Sequence, residues 1–162
     1  MLILLTVLAF GLVANAGQTP PSGASTASCP VTTPPDPPFI PPAAFAGVPL
    51  RGEFWYGTAA LWTRLTDSSV WNGLPRFDAG YRQKVFYWRP GYDGRIEQRP
   101  ALVVTLRRLD AVVSPVEIKN ATNAYFDGTW SMLVGVDFPT PGCWDVSARY
   151  REAMLAFVVD VR

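Results

Sequence analysis

The chain has 162 residues, 49% of them apolar, with 16 Pro, 13 Gly, 2 Cys and no His, and its 14 basic and 13 acidic groups leave a net charge of +1. That length supports one domain with a tail, and the near-neutral balance gives no electrostatic footprint for nucleic acid or anionic lipid. Without His there is no Ser-His-Asp triad, Cys-His dyad or His-bearing zinc site, and two cysteines fall short of the four thiolates of an all-cysteine site, so no catalytic, metal or cofactor centre is expected.

Leu2 to Val13 is an apolar run interrupted by no charge, with Thr6 its one polar side chain, and Ala14-Asn15-Ala16 follows with the small-x-small pattern cut by signal peptidase. Residues 1–16 therefore read as a secretory signal peptide, although no Lys or Arg precedes the run. An uncleaved membrane tether is one competing reading, but at 1.5 Å per residue the stretch to Ala16 reaches only about 22 Å, short of a ~30 Å hydrocarbon core. Lipidation at Cys29 is another, with Thr26-Ala27-Ser28 lacking the large aliphatic residue that a lipid-attachment motif carries. Export places Cys29 and Cys143 in an oxidising compartment, where a pair is favoured over a buried thiol and an exposed one. The chain-entropy model assigns such a bridge about 4 to 5 kcal/mol.

Residues 17–49 read as a proline-rich tether. Ten prolines lie between Pro20 and Pro49, including Pro34-Pro35, Pro37-Pro38 and Pro41-Pro42, which favours polyproline II or irregular chain. A ligand for a proline-recognition groove is less favoured, because the flanking basic residue such grooves use is missing.

Residues 50–162 lack sustained 3.6-residue periodicity and instead alternate with period two between Gly, Pro and Asn-Asp punctuation. Strands are expected at Thr58 to Leu65, Gln83 to Arg89, Leu102 to Leu106, Thr129 to Asp137, Cys143 to Tyr150 and Met154 to Val161, with a weaker one from Pro115 to Lys119. Met132, Val134 and Val136 share a face with Trp130. Phe138-Pro139-Thr140-Pro141-Gly142 breaks the ladder. Trp144, Val146, Ala148 and Tyr150 then point inward, as do Leu155, Phe157, Val159 and Val161 after the turn at Arg151-Glu152. About seven short strands in roughly 110 residues fit an all-β, immunoglobulin-like antiparallel β-sandwich.

The segment from Trp130 through Phe138-Pro139-Thr140-Pro141-Gly142-Cys143-Trp144 to Phe157-Val158-Val159 resembles the C-terminal signature of an uncharacterised family of bacterial secreted proteins and lipoproteins. The resemblance extends to Cys29-Pro30-Val31-Thr32, Leu61-Trp62, Trp88-Arg89-Pro90-Gly91 and Arg107-Arg108-Leu109-Asp110. It implies an immunoglobulin-like sandwich outside the cytoplasm with the two cysteines paired, and carries no activity.

Eleven of the 21 aromatic residues lie between Phe54 and Tyr92. In Gln83 to Arg89, Lys84, Phe86 and Trp88 share one face while Val85 and Tyr87 share the other. If Val85 and Tyr87 pack inward, Phe86 and Trp88 form an exposed platform beside Lys84, with Tyr92 in the following loop, suited to the apolar face of a sugar or to a partner protein. On that reading Trp88→Ala spares stability. The competing reading puts Phe86 and Trp88 in the core. Arg107-Arg108 reads as a solvated strand edge with Asp110 near enough to neutralise one guanidinium. The scattered carboxylates select no pair of the kind glycoside hydrolysis needs. The expected function is a non-enzymatic binding or structural module of the bacterial cell envelope, secreted or periplasmic, with an envelope protein or glycan as partner. The alternatives are a small carboxylate-dependent glycoside hydrolase acting on envelope carbohydrate and an accessory protein that stabilises a larger exported partner.

Overall fold

The structure is a computed structural model that describes residues 28–42, 45, 47–126 and 128–162. The signal peptide read at 1–16 and the first part of the tether lie outside the described residues. Among the described residues no helix is long and apolar enough to cross a membrane.

Among the described residues eleven strands form two sheets. The first has the order β1 (Glu53–Thr58), β2 (Leu61–Thr66), β5 (Gly80–Trp88), β9 (Thr129–Phe138), β8 (Thr122–Phe126), with β4 (Arg76–Phe77) hairpinned onto the start of β5. The second runs β3 (Val70–Trp71), β11 (Ala153–Val161), β10 (Gly142–Tyr150), β6 (Val103–Arg108), β7 (Val116–Ile118). All pairings are antiparallel except β3 with β11. The order β2-β5-β9-β8 against β11-β10-β6-β7 follows the A-B-E-D and G-F-C-C′ arrangement of an immunoglobulin-like sandwich. The seven expected strands correspond to β2, β5, β6, β7, β9, β10 and β11.

The alternation expected in the last three long strands is present. Met132, Val134, Val136, Trp144, Val146, Ala148, Tyr150, Leu155, Phe157, Val159 and Val161 are all buried, and they pack between the sheets with Phe54, Leu61, Leu65, Val85 and Tyr87. The strand expected from Thr58 to Leu65 starts later, as β2 at Leu61: Thr58 ends β1, and Ala59-Ala60 is the turn of a tight β1–β2 hairpin. The Thr58 hydroxyl accepts hydrogen bonds from the amides of Ala60 (3.2 Å) and Leu61 (3.4 Å), which folds the chain back before β2 begins. Gly57 stands opposite Trp62 with φ +141°, and a Cβ there would lie 2.5 Å from the Leu61 carbonyl oxygen. Only glycine fits that position.

Cys29 and Cys143 form a disulfide. It joins the segment ahead of the sandwich to the start of β10, in place of the β5–β10 bond that would correspond to an antibody domain's inter-sheet bridge. From Cys29 the chain runs along β11, where the Thr32 amide donates to the Val158 carbonyl (2.9 Å) and the Val158 amide to the Thr32 hydroxyl (2.8 Å). It then carries Phe39 and Phe45 onto the outer face of the first sheet, against Trp55, Trp62 and Trp88. The described part of the proline-rich segment is therefore a strap seated on the sandwich rather than a free spacer.

Candidate functional site

β2 and β5 pair at only two positions, Trp62 with Trp88 and Thr63 with Tyr87, although both strands continue beyond them. The cause is a change of sheet. After Thr66 the chain turns at buried Ser69 (φ 47°), whose hydroxyl donates to the Thr32 carbonyl, and Val70–Trp71 joins β11 in the opposite sheet. β5 stays behind, paired with β9 along its length. The Thr63 hydroxyl takes the Phe86 carbonyl (2.8 Å), and beyond it the strands part.

The gap is a cleft of about 300 Å³ lined by Glu53, Arg64, Thr66, Trp71, Gln83, Lys84, Val85, Phe86 and Trp88. Its volume sits at the lower end of small-ligand pockets. Arg64 forms one wall, its Nε 2.6 Å from Glu53 Oε2 and its guanidinium carbon 5.0 Å from the Phe126 ring centre. Phe86 stacks between Trp88 and Phe126, at ring separations of 6.0 and 5.0 Å. The indole nitrogen of Trp88 and the hydroxyl of Thr66 are buried and have no hydrogen-bond partner. Such groups normally find one, so two of the residues that line the cleft carry unsatisfied polar atoms beneath its surface, as Trp62 and Tyr87 do elsewhere.

Three of the four binding residues expected from the sequence meet here. Lys84 is exposed, Phe86 half-buried and Trp88 1% exposed. Val85 and Tyr87 do pack inward, so Phe86 and Trp88 face outward. The platform is not bare, however: Phe45 meets Trp55, Trp62 and Trp88 edge-on at 5.2, 5.4 and 5.8 Å. Both faces of β5 are buried at Trp88, one by the second sheet and one by the strap.

Tyr92 lies apart, lining a smaller cavity of about 150 Å³ with Arg89, Glu97, Tyr150 and Arg151. Its hydroxyl donates to the Glu97 carbonyl (2.7 Å), and burial, reinforced by the Glu97 carboxylate, pushes its pKa up to about 12. The Tyr150 hydroxyl donates to the Glu97 carboxylate, and its ring is flanked by the guanidinium groups of Arg89 and Arg151 at 5.2 and 5.1 Å. Arg107 and Arg108 lie on β6, an interior strand rather than an edge, and are held by Asp145 (3.3 Å) and Asp110 (2.6 Å). The bond from Arg108 holds the Asp110 carboxyl below the usual carboxylate range.

Glu53, Arg64, Thr66 and Trp71 were not anticipated as cleft residues. A β1–β2 hairpin would have placed Glu53 diagonal to Arg64 on Trp55's face, a recoverable cross-strand signal. Nothing in the sequence announces the parting of β2 from β5. Comparison with protein-family models, curated proteins and solved structures finds no match to this chain.

Proposed function

We propose that this chain is a binding module of the bacterial cell envelope that takes a sugar ring in the cleft between β2 and β5. The observation that carries the reading is the joint placement of Phe86, the unpartnered Trp88 indole N–H, the unpartnered Thr66 hydroxyl and Lys84 on one cavity. The half-buried edge of Phe86, whose ring stacks between Trp88 and Phe126, gives a pyranose an apolar contact, and the orphan polar groups suit its hydroxyls. Location outside the cytoplasm is supported by the pairing of the chain's two cysteines.

Binding is favoured over hydrolysis by the carboxylate inventory. Among the described residues Glu53 is the cleft's one carboxylate, and Arg64 holds it as an ion pair. Glycoside hydrolysis ordinarily uses two carboxyl groups about 5 to 10 Å apart across the sugar.

Titration of the protein with soluble tetrasaccharides, followed by tryptophan fluorescence, tests the reading. A saturable change is expected, weakened about tenfold by Phe86→Ala through loss of the ring contact. Flat titrations with both neutral and acidic oligosaccharides would remove the proposal.

A further inference from the structure

We infer that the cleft selects a sugar carrying a carboxylate, a uronic-acid residue rather than a neutral hexose. The inference rests on the sugar-binding reading above and adds the charge of the ligand. Its basis is the balance of charges and donors around the cavity.

Among the described residues three charged side chains line the cleft: Glu53, Arg64 and Lys84. Glu53 and Arg64 form an ion pair at 2.6 Å, so neither contributes a free unit charge. Arg82, two residues from Lys84 on the same face of β5, is held bidentately by Asp137 at 2.7 and 2.8 Å. Lys84 is left as the cation of this face with no counter-ion among the described residues. Opposite it on β9 stands Gly135, over which the Arg82 side chain lies.

The unfilled hydrogen-bonding capacity around the cavity is mainly for donation, although the Thr66 hydroxyl can also accept. The Trp88 indole can only donate, the Lys84 ammonium offers three donors and no acceptor, and the Thr66 hydroxyl can donate. The Gln83 side-chain oxygen is already taken by the Lys84 amide (3.0 Å), which leaves its NH2 group as a further donor. A neutral sugar brings hydroxyls that both give and take. A carboxylate only accepts, and charge-assisted bonds against an aromatic wall are the stronger kind. A single unpaired ammonium at the mouth matches the single charge of a carboxylate.

The test compares a tetrasaccharide containing glucuronic acid with the same tetrasaccharide containing glucose in its place, by calorimetric titration. The acidic ligand is expected to bind about tenfold more tightly in low salt, with the difference shrinking in 1 M salt as the ammonium is screened. Lys84→Gln should abolish the difference, bringing the affinity for the acidic sugar down to that for the neutral one. Lys119→Gln, which changes a lysine outside the cleft, should preserve it. Equal affinity for the two sugars, or a difference that survives Lys84→Gln, overturns the charge selection and leaves the sugar site standing. Failure of both sugars to bind overturns the site itself.

Discussion

Trp88 and Trp144 are each 1% exposed, yet different parts of the chain cover them. Trp144 sits between the sheets, its indole N–H donating to the Thr140 carbonyl (3.1 Å) and its ring edge-on to Phe138 at 5.8 Å. Trp88 lies on the outer face beneath Phe45. Replacement of either by Ala should cost about 3 to 5 kcal/mol, read as a fall in the denaturation midpoint. An unchanged midpoint for Trp88→Ala would mean that the strap does not cover it in solution. Tyr87 offers the opposite case. Its hydroxyl is fully buried in the inter-sheet core with no partner, and burial drives its pKa far above the ordinary tyrosine value. Because an unpaired buried hydroxyl is a liability, Tyr87→Phe should raise stability by about 1 kcal/mol. The same group makes stability fall as pH rises above about 10, since the unfolded chain ionises there while the folded chain keeps its proton. Tyr92, raised to about 12, acts in the same direction. Stability measured from pH 9 to 12 should therefore decline, and less steeply in Tyr87→Phe.

At the scale of elements, the strap and the parting of β2 from β5 belong together. Six-residue β1 and β2 form a complete hairpin, whereas β2 touches β5 at two positions, so the outer face of the first sheet has a seam. Phe45 packs across three tryptophans beside that seam. Phe45→Ala should cost about 2 kcal/mol, roughly half the value for a fully buried ring, and shift tryptophan emission to the red. No red shift would show that other strap residues suffice to cover Trp62 and Trp88. Little of this was legible beforehand, and the reason is physical. A proline-rich stretch has no hydrophobic period, so Phe39 and Phe45 give no hint of what they cover. β1 was missed because Phe54 and Trp55 are buried on opposite faces, which erases alternation. β3 and β4 have two residues each, too few for a pattern. By contrast β9, β10 and β11 each put one face into the core, and most of the residues that face it could be read from alternation alone. The aromatic face of β5 was legible as a surface, but not its cover.

For the whole molecule, the Cys29–Cys143 bridge is the long-range tie, with a sequence separation of 114. Replacing both cysteines by Ser should lower stability by about 4 to 5 kcal/mol on the chain-entropy model, measured by denaturant unfolding. A loss below about 1 kcal/mol would mean that Thr32 and Phe45 already hold the strap in place. The pairing was legible from composition, since a chain read as exported has two cysteines and so one choice; the cleft was not, since it follows from a change of sheet at Ser69. The bridge also decides how the molecule carries tension. A pull between residue 28 and the C-terminus passes from Cys29 straight to Cys143 and then along β10 and β11, so residues 30–142 lie off the loaded covalent path. With the bridge intact the stretched length is limited to the twenty residues from Cys143 to Arg162, roughly 70 Å, against roughly 470 Å for the reduced chain, at ~3.5 Å per residue. While the bridge is intact the covalent chain of the strap, the three tryptophans and the first sheet carries no tension, and load reaches them only through their contacts with β10 and β11.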